Sequence, residues 1–107
     1  MAFLKSAETL TINGIDHMKK QEFDKALKRF QQASKKKPGD VNILNYLSQA
    51  QTAIGLMEDA LVTIDKGIEF DPSNVILWQL KATNLIMLQR NEAAIPVIEK
   101  CIELQPG

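Results

Sequence analysis

Cysteine is almost absent from this chain: Cys101 stands alone among 107 residues, so no internal disulfide can form. A fold without that staple must be held by packing, and the reading is a reduced, cytoplasmic protein. Histidine is also single, His17, and aromatic residues make up only 6%. No second histidine or cysteine exists to complete a metal site. An excess of either charge is missing too, since thirteen basic and thirteen acidic side chains cancel. That balance removes the global pull toward nucleic acid or an anionic membrane, and neither is expected as a partner. The apolar runs are too short to span a bilayer, and Met1-Ala2-Phe3-Leu4-Lys5-Ser6 has neither the cationic start nor the long apolar stretch of a secretory signal. A glycine-rich phosphate loop and a recognisable Ser/His/Asp spacing are lacking as well. An enzyme is therefore not expected, nor any cofactor or metal.

What the chain does have is repetition. Pro38, Pro72 and Pro106 stand 34 residues apart. The same step superposes Ala26 on Ala60 and Ala94, Phe30 on Ile64 and Ile98, and Leu27 on Leu61 and Ile95. It also brings together Leu10, Leu44 and Trp78, the small residues Gly14, Ser48 and Ala82, and the acids Asp24, Glu58 and Glu92. Agreement at this many columns without a gap marks a repeat architecture of three units, 7–40, 41–74 and 75–107, within one domain spanning 1–107.

Inside each unit the apolar spacing is helical. Ile43, Leu44, Leu47, Ala50 and Ile54 recur at three- and four-residue steps. A break near Gly55 follows, then a second helix marked by Ala60, Leu61, Ile64, Ile68 and Phe70, ended by Asp71-Pro72-Ser73-Asn74. The small residues of the Gly14 and Ala26 columns are expected to face each other within a hairpin, where bulk would hold the helices apart. Two features strain the scheme. Pro96 removes a backbone donor about one turn into the last helix and is expected to bend it or delay its start. Asn13 and Lys81 fall in the column of Leu47, where Lys81 can bury its stem and keep its ammonium in water.

The period and these columns resemble the tetratricopeptide repeat over residues 7 to 107. Leu10, Leu44 and Trp78 match that family's large apolar residue early in the first helix, and Gly14, Ser48 and Ala82 its small one. Ala26, Phe30 and Ala33, then Ala60, Ile64 and Gly67, then Ala94, Ile98 and Cys101 match the pattern of the second helix, and the prolines close each unit. The resemblance implies an all-α, right-handed superhelical solenoid of three antiparallel helix-turn-helix hairpins. Its first helices would line a concave groove that holds an extended peptide or a partner's helix. Proteins of this kind act as adaptors and scaffolds: stacked hairpins touch only their neighbours and leave a long surface free.

Leu10, Gly14 and His17 are expected to point into the first hairpin. The groove face is then Glu8, Thr11, Ile15, Met18 and Lys19 in the first unit, and Asn42, Asn45, Tyr46, Gln49 and Thr52 in the second. In the third it is Ile76, Gln79, Leu80, Thr83 and Ile86. The surface is nearly uncharged. Members of the family that grip the acidic C-terminal tails of chaperones use a clamp of lysines, asparagines and an arginine. Here those columns hold Thr11, Ile15, Tyr46, Ile76 and Leu80, and a terminal carboxylate would lose solvation without a fixed cation. The expectation is a neutral or amphipathic peptide or partner helix, its backbone held by amides and its apolar side chains by Ile or Met. The plainer alternative is that these are solvated helix positions.

Charge is uneven along the chain. Residues 1–40 hold nine basic and five acidic side chains, and residues 41–74 one and five. Lys35-Lys36-Lys37 reads as the cationic end of a helix, offsetting its dipole. His17 reads as a packed side chain and Cys101 as a small core residue. Ile98 and Ile102 on the last helix lack a following helix to cover them, and Phe3 and Leu4 are apolar at the other end. The chain is thus expected to be a fragment of a longer protein or a structural assembly module that self-associates through its open C-terminal helix.

Overall fold

A computed structural model describes residues 5–105. Phe3, Leu4 and Pro106 lie outside the described residues. Six helices and no strand occupy the described span: α1 (Ala7–Lys19), α2 (Phe23–Lys36), α3 (Val41–Ala53), α4 (Met57–Phe70), α5 (Val75–Met87) and α6 (Asn91–Leu104). None of them is long and apolar enough to cross a membrane.

The local chemistry that starts and stops these helices has the same 34-residue step as the core columns. Ser6, Asp40 and Asn74 cap α1, α3 and α5, their side-chain oxygens accepting from the backbone N–H of Thr9, Ile43 and Leu77. Each satisfies an amide that the first helical turn leaves without a partner. The first helices also end alike. Gln21, Gly55 and Gln89 take left-handed geometry, with φ of 61°, 87° and 62°. Glu22, Leu56 and Arg90 then return their N–H groups to the carbonyls of His17, Gln51 and Leu85, each at 2.8 Å. This closure reverses the chain in three residues and lets the second helix begin at once. At the far end, Lys37 and Asp71 are pushed out of helical geometry, with φ of −134° and −143°, by the prolines that follow.

Packing follows the small-residue columns. At Gly14 an added Cβ would sit 2.7 and 2.8 Å from Phe30 Cδ1 and Cζ, and closer still to Cε1, so glycine sets the approach of α1 to α2. Gly67 acts between hairpins: a Cβ there would stand 2.9 Å from Leu77 Cδ1, where α5 lies on α4. Phe30 and Ile64 are fully buried, Phe30 at the joint between the first two hairpins. Around Phe30 gather Ala26, Leu47 and Ala50; around Leu61 gather Ala82, Leu85, Ala94 and Val97. Helices pack on their sequence neighbours, with a small α1–α3 contact besides, and the result is an elongated solenoid of 51 × 24 × 22 Å.

The strained positions resolve differently. Lys81 is half-buried, its ammonium 2.8 Å from Asp65 Oδ1 and 5.7 Å from the centre of the Trp78 ring, which is the expected snorkelling. Pro96 does not delay α6. That helix begins 34 residues after α4 and has the same 14 residues, so the flanking contacts of Ala94 and Val97 outweigh the missing donor. Cys101 is half-buried, less enclosed than the Ala33 and Gly67 whose column it shares.

Candidate binding groove

The residues expected on the groove face divide into two kinds. Asn42, Ile76, Gln79, Thr83 and Ile86 are exposed. Thr11, Ile15, Met18, Asn45, Tyr46, Gln49, Thr52 and Leu80 are half-buried, and most of these also have structural work. Ile15, Met18 and Tyr46 pack against the cluster around Phe30, and the Tyr46 ring stacks on Phe30 with centroids 5.5 Å apart. Thr11 Oγ1 donates to the Ala7 carbonyl at 2.7 Å, and Gln49 Nε2 to Asn45 Oδ1 at 2.7 Å. Thr52 Oγ1 donates 2.9 Å to Asn84 Oδ1, joining α3 to α5, while Asn84 Nδ2 donates to the Leu80 carbonyl. Asn84 is almost fully buried, and this pair of bonds satisfies its amide.

Between α1 and α3 the chain forms a cleft of about 450 Å³. Thr11, Ile15, Asn42 and Tyr46 line it, joined by Ile12, Ile43 and the Glu8–Lys37 ion pair at its rim. The cleft does not extend to Met18, Asn45, Gln49 or Thr52, and the α5 residues Ile76, Gln79, Thr83 and Ile86 present a separate, open stretch. Lys37 is the residue the spacing alone does not reveal. It sits at the end of α2, which the first hairpin sets beside the start of α1, and there its ammonium meets Glu8. The hydrogen bond from Lys37 holds the Glu8 carboxyl below the usual range, and the same contact raises the Lys37 ammonium. At the opposite end of α1, His17 Nδ1 lies 2.9 Å from Glu22 Oε1, and this hydrogen bond is the main reason the Glu22 carboxyl is also lowered. A carboxylate only accepts, so the Nδ1 position of His17 carries the proton. Among the described residues no cluster of histidine, cysteine, aspartate and glutamate could hold a metal ion.

Comparison with known proteins decides the family. A model described as tetratricopeptide repeat matches residues 17–83. The chain belongs to the tetratricopeptide-repeat family. Tetratricopeptide repeats mediate protein–protein interaction, and the family is generally not enzymatic. Superkiller protein 3 of Saccharomyces cerevisiae is 32% identical over 87 residues, covering 81% of this chain and 6% of that protein. The chain thus spans a small part of the length of that curated relative. Among solved structures, YrrB, a tetratricopeptide-repeat protein with an unusual peptide-binding site, superposes with a TM-score of 0.93 at 18% identity, covering 97% of this chain and 54% of that one. The first such domain of Spaghetti (RPAP3), bound to the HSP90 peptide SRMEEVD, gives 0.90 at 18% identity, covering 95% and 81%. Identities this low speak to the shared solenoid fold of three hairpins.

Proposed function

We propose that this tetratricopeptide-repeat chain is a protein-interaction module whose first helices hold a neutral or amphipathic segment, and that it does not grip an acidic chaperone tail. The observation that carries this reading is the make-up of the face shared by α1, α3 and α5. Its exposed positions are Asn42, Gln79 and Thr83, which can bond a ligand backbone, beside Ile76 and Ile86, which offer apolar contact. The cleft between α1 and α3 adds a place for an apolar side chain against Ile12, Ile15 and Tyr46. The columns a carboxylate clamp would use hold Thr11, Ile15, Tyr46, Ile76 and Leu80, none of them cationic. Lys37, the cation at the cleft, is already engaged with Glu8. A bound tail of several carboxylates would lose hydration here without recovering it from fixed donors. The lone, half-buried Cys101 suits a reducing, cytoplasmic setting.

The test is a display selection of random peptides on the chain, followed by fluorescence anisotropy with the recovered sequence. Asn42→Glu together with Gln79→Glu places two charges on the open face without touching the core. Affinity falls by about tenfold or more if the segment lies there. Unchanged affinity for every recovered peptide removes the groove as the binding surface.

A further inference from the structure

α2 packs on α1 and on α3, and its remaining face lies on the outside of the solenoid. At about 3.6 residues per turn, Lys25, Lys28, Arg29, Lys35 and Lys36 share roughly a third of the helix circumference, opposite the buried Ala26, Phe30 and Ala33. The four lysines are exposed and Arg29 is half-buried. Gln32 stands among them, and no acid does. Lys25 Nζ reaches Glu22 Oε2 at 3.4 Å, but the same carboxylate also holds His17. Lys28, Arg29, Lys35 and Lys36 have no ion-pair partner among the described residues.

The fold does not ask for these charges. Cations in the last turn offset the helix dipole, which accounts for Lys35 and Lys36 but runs against Lys25 in the first turn. Lys25 and Arg29 are one turn apart, a like-charge spacing that weakens a helix. The repeat does not impose them either. The same columns hold Asp59, Val62, Thr63, Glu69 and Phe70 on α4, and no cation on α6. Arg29 Nη1 donates to Gln32 Oε1 at 3.1 Å, which holds the guanidinium on this face.

We propose that the outer face of α2 docks a short acidic segment of a partner protein, a run of aspartate and glutamate lying along the helix. Charge complementarity selects such an occupant, since five cations stand together without an acid between them. Lys25 and Lys36 are eleven residues apart, about 16 Å along the axis. An extended segment of about five or six residues covers that length. Nucleic acid suits the face less well, because it has no aromatic side chain on which a base could stack. A polyanion running on across the outside of the solenoid would also meet Asp59 and Glu69 in the matching columns of α4. A short acidic segment stays on α2.

The experiment uses the whole chain and a fluorescein-labelled hexaglutamate peptide, amidated so that it has no terminal carboxylate. Fluorescence anisotropy at low salt is expected to show saturable binding that weakens as salt is raised. Lys28→Gln with Lys35→Gln, both exposed, lowers the affinity about fivefold. Lys66→Gln with Lys100→Gln removes the same charge from α4 and α6 and leaves affinity within about twofold. Circular dichroism melts check that both variants fold, and amide NMR of the parent places the peptide-induced shifts at residues 25–36. No saturable binding, equal losses in the two variants, or shifts confined to α1, α3 and α5 overturn the proposal. A thymidine hexanucleotide that binds α2 more tightly than the peptide also overturns it, because the face then serves nucleic acid.

Discussion

Replacing Gly14 with alanine tests the closest approach in the fold. The new Cβ would stand 2.7 Å from Cδ1 and 2.8 Å from Cζ of Phe30, whereas carbon atoms rest at about 3.5–4.0 Å. The ring must therefore retreat by roughly 1 Å. It has little room, being fully buried and stacked on Tyr46 at 5.5 Å. Overpacking of this kind costs about 1–3 kcal/mol, and contact with three ring atoms at once places Gly14→Ala at the upper end. Alanine returns about 1 kcal/mol through its better helix propensity. The net loss is about 2 kcal/mol, equivalent to a fall of about 8 °C in Tm for a chain of this size. Phe30→Leu in the same background removes the collision, so the double variant should lose less than the two single losses added together. Thermal and urea melts followed by circular dichroism measure all three. A Gly14→Ala variant as stable as the parent, or more so, refutes the argument that this glycine sets the α1–α2 distance.

Thr52→Val keeps the shape of the side chain but leaves the buried Asn84 Oδ1 without its donor, at a cost of about 1–3 kcal/mol; urea melts should show it, with Asn84→Leu in the Thr52→Val background recovering part of the loss. Pro96→Ala restores an amide donor inside α6 at an exposed position and is expected to stabilise the chain by roughly 2–3 kcal/mol, read as a rise in Tm. The lowered Glu8 and Glu22 carboxyls contribute stability that is present above the unfolded glutamate value and lost as pH falls through their folded values. Carboxyl-detected NMR titration should therefore show both titrating below the ordinary glutamate value, and Lys37→Met should raise Glu8 part of the way back, a backbone hydrogen bond still favouring its carboxylate.

Much of the solenoid is legible in the sequence because its determinants are local or periodic. Ala26, Ala60 and Ala94 must be small where two helices touch, and Ser6, Asp40 and Asn74 must carry an oxygen where a helix begins. The turns are less plain. Gly55 announces left-handed geometry, but Gln21 and Gln89 adopt it with side chains that give no sign, held by the same return hydrogen bonds. The candidate groove face is a set of columns in the sequence, while its relief is not. Lys37 reaches Glu8 because the first hairpin sets the end of α2 beside the start of α1, and Thr52 looks like a free surface hydroxyl until α5 places Asn84 beneath it. Asn84 itself stands in the column of Ala50, and no local pattern marks an amide there as buried. Such links depend on how helices meet within and between hairpins, which periodicity does not encode.

The first-helix face is proposed to accept a neutral segment and to have no clamp for a carboxylate tail. Its most direct test is an NMR titration of the chain with the peptide SRMEEVD, the segment bound by the Spaghetti (RPAP3) domain of the same fold. No saturable shifts are expected at the amides of Thr11, Ile15, Tyr46, Ile76 and Leu80. Saturable shifts at those residues, abolished when the peptide's terminal carboxylate is amidated, would contradict it.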